Sequence, residues 1–152
     1  MTRFGNNRDG GGLFLLSALT VIILVSSIPA SAEDPPPISL DLQIAPNVLN
    51  LSNQGTVVTI HTNYPYDQFD VSKPAGVFVG DGSGSYVPIN WWKADLRGDF
   101  VAKFEMDAVQ GAVASLGLPM GSSCSIVFKA TSVNNAVLGG AVDVTIVDRK
   151  SR

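Results

Sequence analysis

The chain has little of the chemistry that catalytic and metal sites use. Its 152 residues include one cysteine, Cys124, and one histidine, His61. A disulfide within the chain is therefore excluded, and stability has to come from packing. Structural zinc usually takes about four cysteine or histidine ligands, and a Ser–His or Cys–His site needs several groups in contact. We predict no catalytic residue, no metal ion and no cofactor.

Basic side chains are also few and form no patch along the sequence. Without the first 32 residues, 8 basic and 12 acidic side chains remain, so the net charge is near −4. A nucleic-acid partner or an anionic membrane calls for clustered basic charge. We therefore predict no nucleic-acid partner. The short basic tail at residues 149–152 is interpreted as a solvated end.

Long apolar runs are absent except near the N-terminus. Leu13–Val25 is apolar and uncharged, follows Arg3 and Arg8, and precedes small residues that end at Ala32. This arrangement is typical of a secretory signal, whereas a spanning helix needs about 20 apolar residues. We predict that residues 1–32 are a signal peptide cleaved near Ala32. The product would be secreted, extracellular or periplasmic, with no stable membrane span.

Period-two alternation of apolar and polar residues dominates the rest of the chain. One apolar and one polar face per strand is typical of an antiparallel sheet with one wet side. The alternating or β-rich segments are residues 40–44, 56–62, 77–79, 86–92, 100–106, 124–130 and 141–148. With glycine- and asparagine-rich turns between them, they predict an all-β fold of about seven strands. The predicted architecture is a two-sheet antiparallel immunoglobulin-like sandwich over residues 40–148, after a proline-rich linker at 33–39.

One segment has helical spacing instead. Residues 107–119 carry apolar side chains three and four apart, and Asp107 with Gln110 resembles a capping box. Gly117 and Pro119 are stop signals. The segment predicts one short helix that closes one end of the sheets.

The stretch "YVPINWW" contains the best candidates for a binding site. Continuing the alternation from Val87 places Trp91 on the core side. The same alternation leaves Trp92 outside with Tyr86 and Asn90. An exposed tryptophan can stack on a sugar ring while a neighbouring amide binds its hydroxyl groups. We predict a ligand site on these three residues, although Trp92 could instead pack under the loop that follows.

Two further tyrosines could extend that platform. Tyr64 and Tyr66 flank Pro65 in "NYPYDQF", a segment that also reads as a stiff turn. Arg97-Gly98-Asp99 is interpreted as turn chemistry, since glycine between polar residues is common in turns.

The remaining polar candidates have ordinary structural interpretations. Cys124 alternates in phase with Ile126 and Phe128, so it is predicted to face the core, with pairing between chains as the alternative. His61 falls on the polar face of its strand. The turn "GDGSGS" offers Asp81 and serine oxygens to a calcium ion, but these residues are also common turn formers.

Four stretches together resemble a known module. They are "LNLSNQGTVVTIHT", "YDQFDVSKPAGVFVGDGS", "KFEMDAVQGAV" and "GAVDVTIVD". They look like an Ig-like module that recurs in secreted bacterial and archaeal proteins, over about residues 39–148. The resemblance implies a β-sandwich with an accessory role and no catalytic residues to carry over. Relatives often have an aspartate-rich loop before the "KF" strand, where this chain has "KADLRGD".

These observations favour a secreted, non-catalytic binding or structural module of the cell envelope or extracellular space. Its partner would be an extracellular polysaccharide or another surface protein. Two alternatives remain: a subunit that self-associates through a sheet edge, and a small extracellular hydrolase.

Overall fold

The computed structural model describes residues 35–52 and 55–148. The predicted signal peptide and the predicted basic tail lie outside these described residues. Within the two ranges, no helix is long and apolar enough to cross a membrane.

The described residues form ten strands, one α-helix and one 3-10 turn, where about seven strands were predicted. The additional strands are short, and they arise where the chain passes from one sheet to the other and pairs on both sides of that point. The strands are β1 Ile38–Ser39, β2 Leu42–Ala45, β3 Val48–Asn50, β4 Val57–Pro65, β5 Gly76–Val79, β6 Tyr86–Pro88, β7 Trp91–Ala94, β8 Asp99–Glu105, β9 Ser123–Thr131 and β10 Val137–Val147; the helix α1 is Met106–Ala114, and the 3-10 turn is Tyr66–Gln68.

The strands make two sheets. The six-stranded sheet has the order β1-β10-β9-β5-β6, and β3 also pairs with β10. The four-stranded sheet has the order β2-β4-β8-β7. All pairings are antiparallel except those of β10 with β1 and β3, which are parallel. The prediction of two largely antiparallel sheets with one helix is confirmed.

The two sheets share one hydrophobic core. Phe100 of β8 and Phe128 of β9 are both fully buried, and Phe69 stacks on Phe100 with ring centroids 3.9 Å apart. Phe69 follows the 3-10 turn, so the segment between β4 and β5 closes the core from the side. Cys124 is 3% exposed and belongs to the same core, which confirms its predicted inward orientation.

Helix α1 begins directly where β8 ends, one residue before the predicted start. Its N-cap is Glu105, and no side chain caps it, so the predicted capping box is wrong. Strand β8 continues to Glu105, which leaves Asp107 inside the first turn instead of at the cap. The side chain of Gln110 donates a hydrogen bond to the Asn50 carbonyl oxygen at 2.7 Å. That contact ties the helix to the end of β3.

The chain changes sheet soon after it enters the fold. Strand β1, within the predicted linker, pairs with β10 of the six-stranded sheet, and β2 belongs to the four-stranded sheet. The crossing runs directly over Gly140. A Cβ atom on Gly140 would collide with the Leu40 carbonyl oxygen and lie 2.8 Å from Leu42 Cγ. The crossing therefore requires glycine at this position.

We expect Gly140→Ala to lower the free energy of unfolding by about 1–3 kcal/mol, because its methyl group forces the crossing backbone to move. Gly139→Ala is the matched control. Its Cβ would meet only the Phe128 carbonyl oxygen, at 3.5 Å, an ordinary contact. Urea denaturation of the two variants measures the difference, and equal midpoints would contradict the steric account.

Candidate functional site

The tryptophan segment lies at a second change of sheet. Ile89 donates its backbone N–H to the Ala75 carbonyl beside β5, at 3.2 Å. The next residue, Asn90, donates its N–H to Lys103 of β8, at 2.9 Å. The predicted single strand at residues 86–92 is therefore two strands, β6 and β7, in different sheets.

This change of sheet shifts the alternation by one residue. Trp91 lies opposite Lys103 in the register of β7 and β8, and Trp92 lies opposite Ala102. Ala102 is fully buried in the core. Trp91 is therefore on the outer face and is 44% exposed, so the prediction that it fills the core is wrong. Alternation holds within one strand, and residues 86–92 are not one strand.

Trp92 lies on the core side at the edge of the four-stranded sheet. It is 37% exposed and lines a cavity of about 60 Å³ together with Phe69, Phe100 and Ile89. The loop residues Asp70, Val71, Lys73 and Ala75 complete that cavity. A cavity of this volume is far smaller than the several hundred Å³ of ordinary ligand sites. Trp92 packs chiefly beside the loop that precedes β5.

The structure does not bring the other predicted site residues to Trp92 as one platform. Tyr86 lies on the outer face of the six-stranded sheet, where its ring covers Gly76. Its hydroxyl donates to the Ala75 carbonyl oxygen at 3.0 Å. Asn90 lies at the change of sheet, and its side-chain amide donates to Glu105.

Tyr64 and Tyr66 are half-buried beside the core. Tyr64 packs edge-on against Phe69 with ring centroids 5.6 Å apart, and Tyr66 stacks on Phe100 at 5.9 Å. Both rings therefore have packing roles in the structure.

A different set of side chains converges on the outer face of the four-stranded sheet. Paired residues of antiparallel strands point to the same face, so the register defines this surface. We call it the Trp91 face. Its two rows, read from β7 to β2, are Trp91-Lys103-Thr59-Ala45 and Lys93-Val101-His61-Gln43. Val101 is almost fully buried although it points away from the core.

Two lysines frame Trp91 on this face. The Lys103 ammonium lies 5.1 Å from the ring centroid, and the Lys93 ammonium lies 5.6 Å from it. These are cation–π distances, and an exposed contact of this kind contributes about 0.5–1 kcal/mol. The contacts place positive charge over the indole ring.

The turn between β7 and β8 borders the same face. Arg97 lies 3.7 Å from Asp95 and 3.4 Å from Asp99 between charged atoms. Asp95 also accepts the backbone N–H groups of Arg97 and Asp99 at 2.8 and 3.0 Å. Gly98 has a φ of 86°, which favours glycine, so Arg97-Gly98-Asp99 has the turn geometry that the sequence predicted.

These contacts control the pKa of Asp95. Desolvation raises it, but the hydrogen bonds from Arg97 and Asp99 and the Arg97 charge outweigh that effect. The net pKa lies below its ordinary value of 3.8. Asp95 is therefore an anion wherever the turn is intact near neutral pH.

A polar groove opens at the far end of the Trp91 face. Its volume is about 190 Å³, and its lining is Asp41, Gln43, His61, Thr62, Asn63 and Arg97. Asn63 and Asp41 hold each other by two hydrogen bonds of 3.1 Å. His61 is two strands away from Trp91, or about 10 Å at ordinary strand spacing. Tryptophan, cationic groups and amides thus lie on one continuous surface.

His61 and Cys124 do not meet in the described part of the chain. His61 is on the Trp91 face, and Cys124 is inside the core on the other sheet, where desolvation raises the pKa of its thiol. No group of three histidine, cysteine or acidic side chains among the described residues is placed to hold a metal ion. At the "GDGSGS" turn, Asp81 accepts hydrogen bonds from the Ser83 N–H and hydroxyl at 3.0 and 2.5 Å.

Sequence reasoning missed Trp91, Lys93 and Lys103 as surface partners. One signal could have found them: Pro88 stands inside the segment predicted to be a single strand. Proline is disfavoured inside a paired strand and is typical of a strand end. Ending the strand at Pro88 would have removed the reason to carry its alternation on to Trp91.

Comparison with protein-family models, with curated proteins and with solved structures finds no match to this chain.

We expect Trp92→Ala to lower the free energy of unfolding by about 2 kcal/mol, because it enlarges the cavity beside Phe69 and Phe100. Trp91→Ala should cost less than about 1 kcal/mol, since its ring is outside the core. Thermal denaturation compares the two variants. If Trp91→Ala lost more stability than Trp92→Ala, the assignment of Trp92 to the core side and Trp91 to the outer face would be wrong.

The turn also predicts an acid dependence of stability. Because the folded-state pKa of Asp95 is depressed, its contribution is present above its ordinary value of 3.8 and is lost as the pH falls through the lower folded-state value. Asp95→Asn keeps a hydrogen-bond acceptor but does not titrate. We expect the melting temperature of this variant to fall less steeply than the wild type between about pH 5 and pH 2.

Asp143→Asn, at an exposed position of β10, is the control for that experiment. It should retain the acid dependence of the wild type. If the melting temperatures of Asp95→Asn and the wild type fall in parallel as the pH is lowered, Asp95 does not stabilise the turn electrostatically.

Proposed function

We propose that this protein is a secreted, non-catalytic carbohydrate-binding module that binds its ligand on the Trp91 face. The observation that carries the proposal is the exposed Trp91 ring on the outer face of the four-stranded sheet, with the Lys93 and Lys103 ammonium groups over it. An aromatic ring with neighbouring hydrogen-bond donors is suited to stack on the apolar face of a sugar.

The surroundings of Trp91 favour a sugar over an apolar ligand. Lys93, Lys103, Thr59 and Gln43 offer polar atoms along the face. The groove beyond His61 adds amide and carboxylate groups at a distance suited to a ligand several sugar units long. An extended polysaccharide lying across the strands would reach both ends of the face.

A secreted location is part of the same proposal. It rests on the charged start, apolar run and small-residue cleavage site within residues 1–32. A polysaccharide of the envelope or of the surroundings would be accessible to a protein exported in this way. The resemblance of the chain to Ig-like modules of secreted proteins supports an accessory role of this kind.

Self-association through a sheet edge has less support. The edge strands β2 and β7 have four residues each, and β6 has three. Strand β7 also carries Lys93, and charged side chains on short edges oppose edge-to-edge pairing. A hydrolase would need paired acidic groups, but Asp95 and Asp99 both contact Arg97, and Glu105 contacts Asn90.

We expect Trp91→Ala to weaken polysaccharide binding by about tenfold or more, because the stacking surface is lost. Affinity electrophoresis through gels that contain different polysaccharides measures the loss. Tyr86→Ala is the matched control, since Tyr86 is 46% exposed but lies on the opposite sheet. The proposal is supported if a polysaccharide gel slows the wild type and Tyr86→Ala, whereas Trp91→Ala migrates as it does in a gel without polysaccharide. Retardation of Trp91→Ala equal to the wild type would contradict it.

A further inference from the structure

We infer that the ligand of the Trp91 face is an anionic polysaccharide whose sugar carboxylates bind Lys93 and Lys103. This inference rests on the proposed function and narrows it to one class of ligand.

The distribution of basic side chains is the first argument. The described residues contain five lysines and arginines: Lys73, Lys93, Arg97, Lys103 and Lys129. Three of the five lie on or beside the Trp91 face. They are separated by up to ten positions in sequence, and the pairing of β7 with β8 brings them together. Carboxylates border the same face: Asp95 and Asp99 pair with Arg97, and Glu105, two residues from Lys103 in β8, accepts a hydrogen bond from Asn90. Lys93 and Lys103 are the cations nearest to the exposed tryptophan.

The two lysines beside Trp91 are not neutralised. Among the described residues, ion pairs with carboxylates are those that Arg97 makes with Asp95 and Asp99. The Lys93 and Lys103 ammonium groups contact the indole instead. Their charge therefore remains available to an anion that approaches the ring. Arg97, by contrast, is occupied within the turn.

The position of the two charges fits a uronic acid. In a uronate the carboxylate is attached directly to the pyranose ring. A sugar stacked on Trp91 would therefore place its carboxylate only a few Å beyond the edge of the indole, as ordinary bond lengths dictate. Both ammonium groups lie over the indole, 5.1 and 5.6 Å from its centroid, so a sugar that stacks there displaces them from the ring toward its own carboxylate. A neutral hexose has a hydroxymethyl group at that position and gains no charge pairing.

An acidic protein segment is the main alternative ligand for Lys93 and Lys103. Protein interfaces usually centre on an apolar core surrounded by a polar rim. The neighbours of Trp91 on this face are mostly polar or charged, and Val101 is already buried. The adjoining groove is lined by polar side chains. These features favour a hydroxyl-rich polyanion.

The opposite sheet provides a matched control. Lys129 lies 4.6 Å from the centroid of Phe78, and Phe78 contacts Tyr86 with ring centroids 5.1 Å apart. This is the same kind of contact between a cation and an aromatic ring, but it has a single lysine and lies on the outer face of the six-stranded sheet. Removing the Lys129 charge changes net charge without changing the Trp91 face.

The test compares polygalacturonate, alginate and hyaluronan with the carboxyl-reduced, neutral form of each polymer. Binding to the purified protein is measured by titration calorimetry at low and at high salt. At least one acidic polymer should bind about tenfold more tightly than its reduced form, and added salt should remove much of that difference.

Lysine variants identify the groups responsible. Lys93→Gln and Lys103→Gln should each weaken binding of the acidic polymer about threefold, and the double variant should remove the preference for carboxylates. Exchange of both lysines for arginine should largely retain that preference. Lys129→Gln should bind like the wild type. Circular dichroism and melting temperature establish that the variants are folded.

The possible failures are distinguishable. If acidic and reduced polymers bind equally and Trp91→Ala abolishes both, the charge inference is overturned and the proposed function stands. If no polysaccharide binds, acidic or neutral, both are overturned. If poly-L-glutamate binds as tightly as the best uronate polymer and competes with it, the ligand is an acidic protein and the inference fails.

Discussion

The passage of the chain from one sheet to the other between Ile89 and Asn90 is the constraint on which the candidate site depends. Two successive backbone N–H groups bond to different sheets, one to Ala75 and the next to Lys103. Each bond gives a partner to a backbone donor at the change of sheet. As a result, the side chains after this point alternate one residue out of phase with those before it. Trp92 closes the edge of the core, and Trp91 is left on the outer face.

The core makes this surface a rigid platform. Phe69, Phe100 and Phe128 join the two sheets and the intervening loop in one packed cluster, so the four-stranded sheet cannot easily bend away. A site built on paired strands needs little reorganisation on binding, which lowers the entropic cost of association. Lys93 and Lys103 lie over the Trp91 ring. Under our proposal, the same two lysines favour an anionic ligand on this face.

Much of the fold could be predicted from local pattern. Alternation in β4, β8 and β9 correctly placed Ile60, Phe104 and Cys124 in the core, because each of these strands stays in one sheet with one side buried. The helix near Val109 was also correct, since its apolar spacing is helical. The capping box failed because β8 runs on into α1. That continuity depends on pairing with β4, which local spacing does not encode.

The amino-acid sequence by itself determined the class of structure and the inward side of each uninterrupted strand. Those properties follow from composition and from a period of two, which are local. Only the tertiary structure decided that Trp91, Lys93, Lys103 and His61 share a face. Partners across a sheet are set by register between distant segments, and at a change of sheet the local period no longer specifies which side a residue faces.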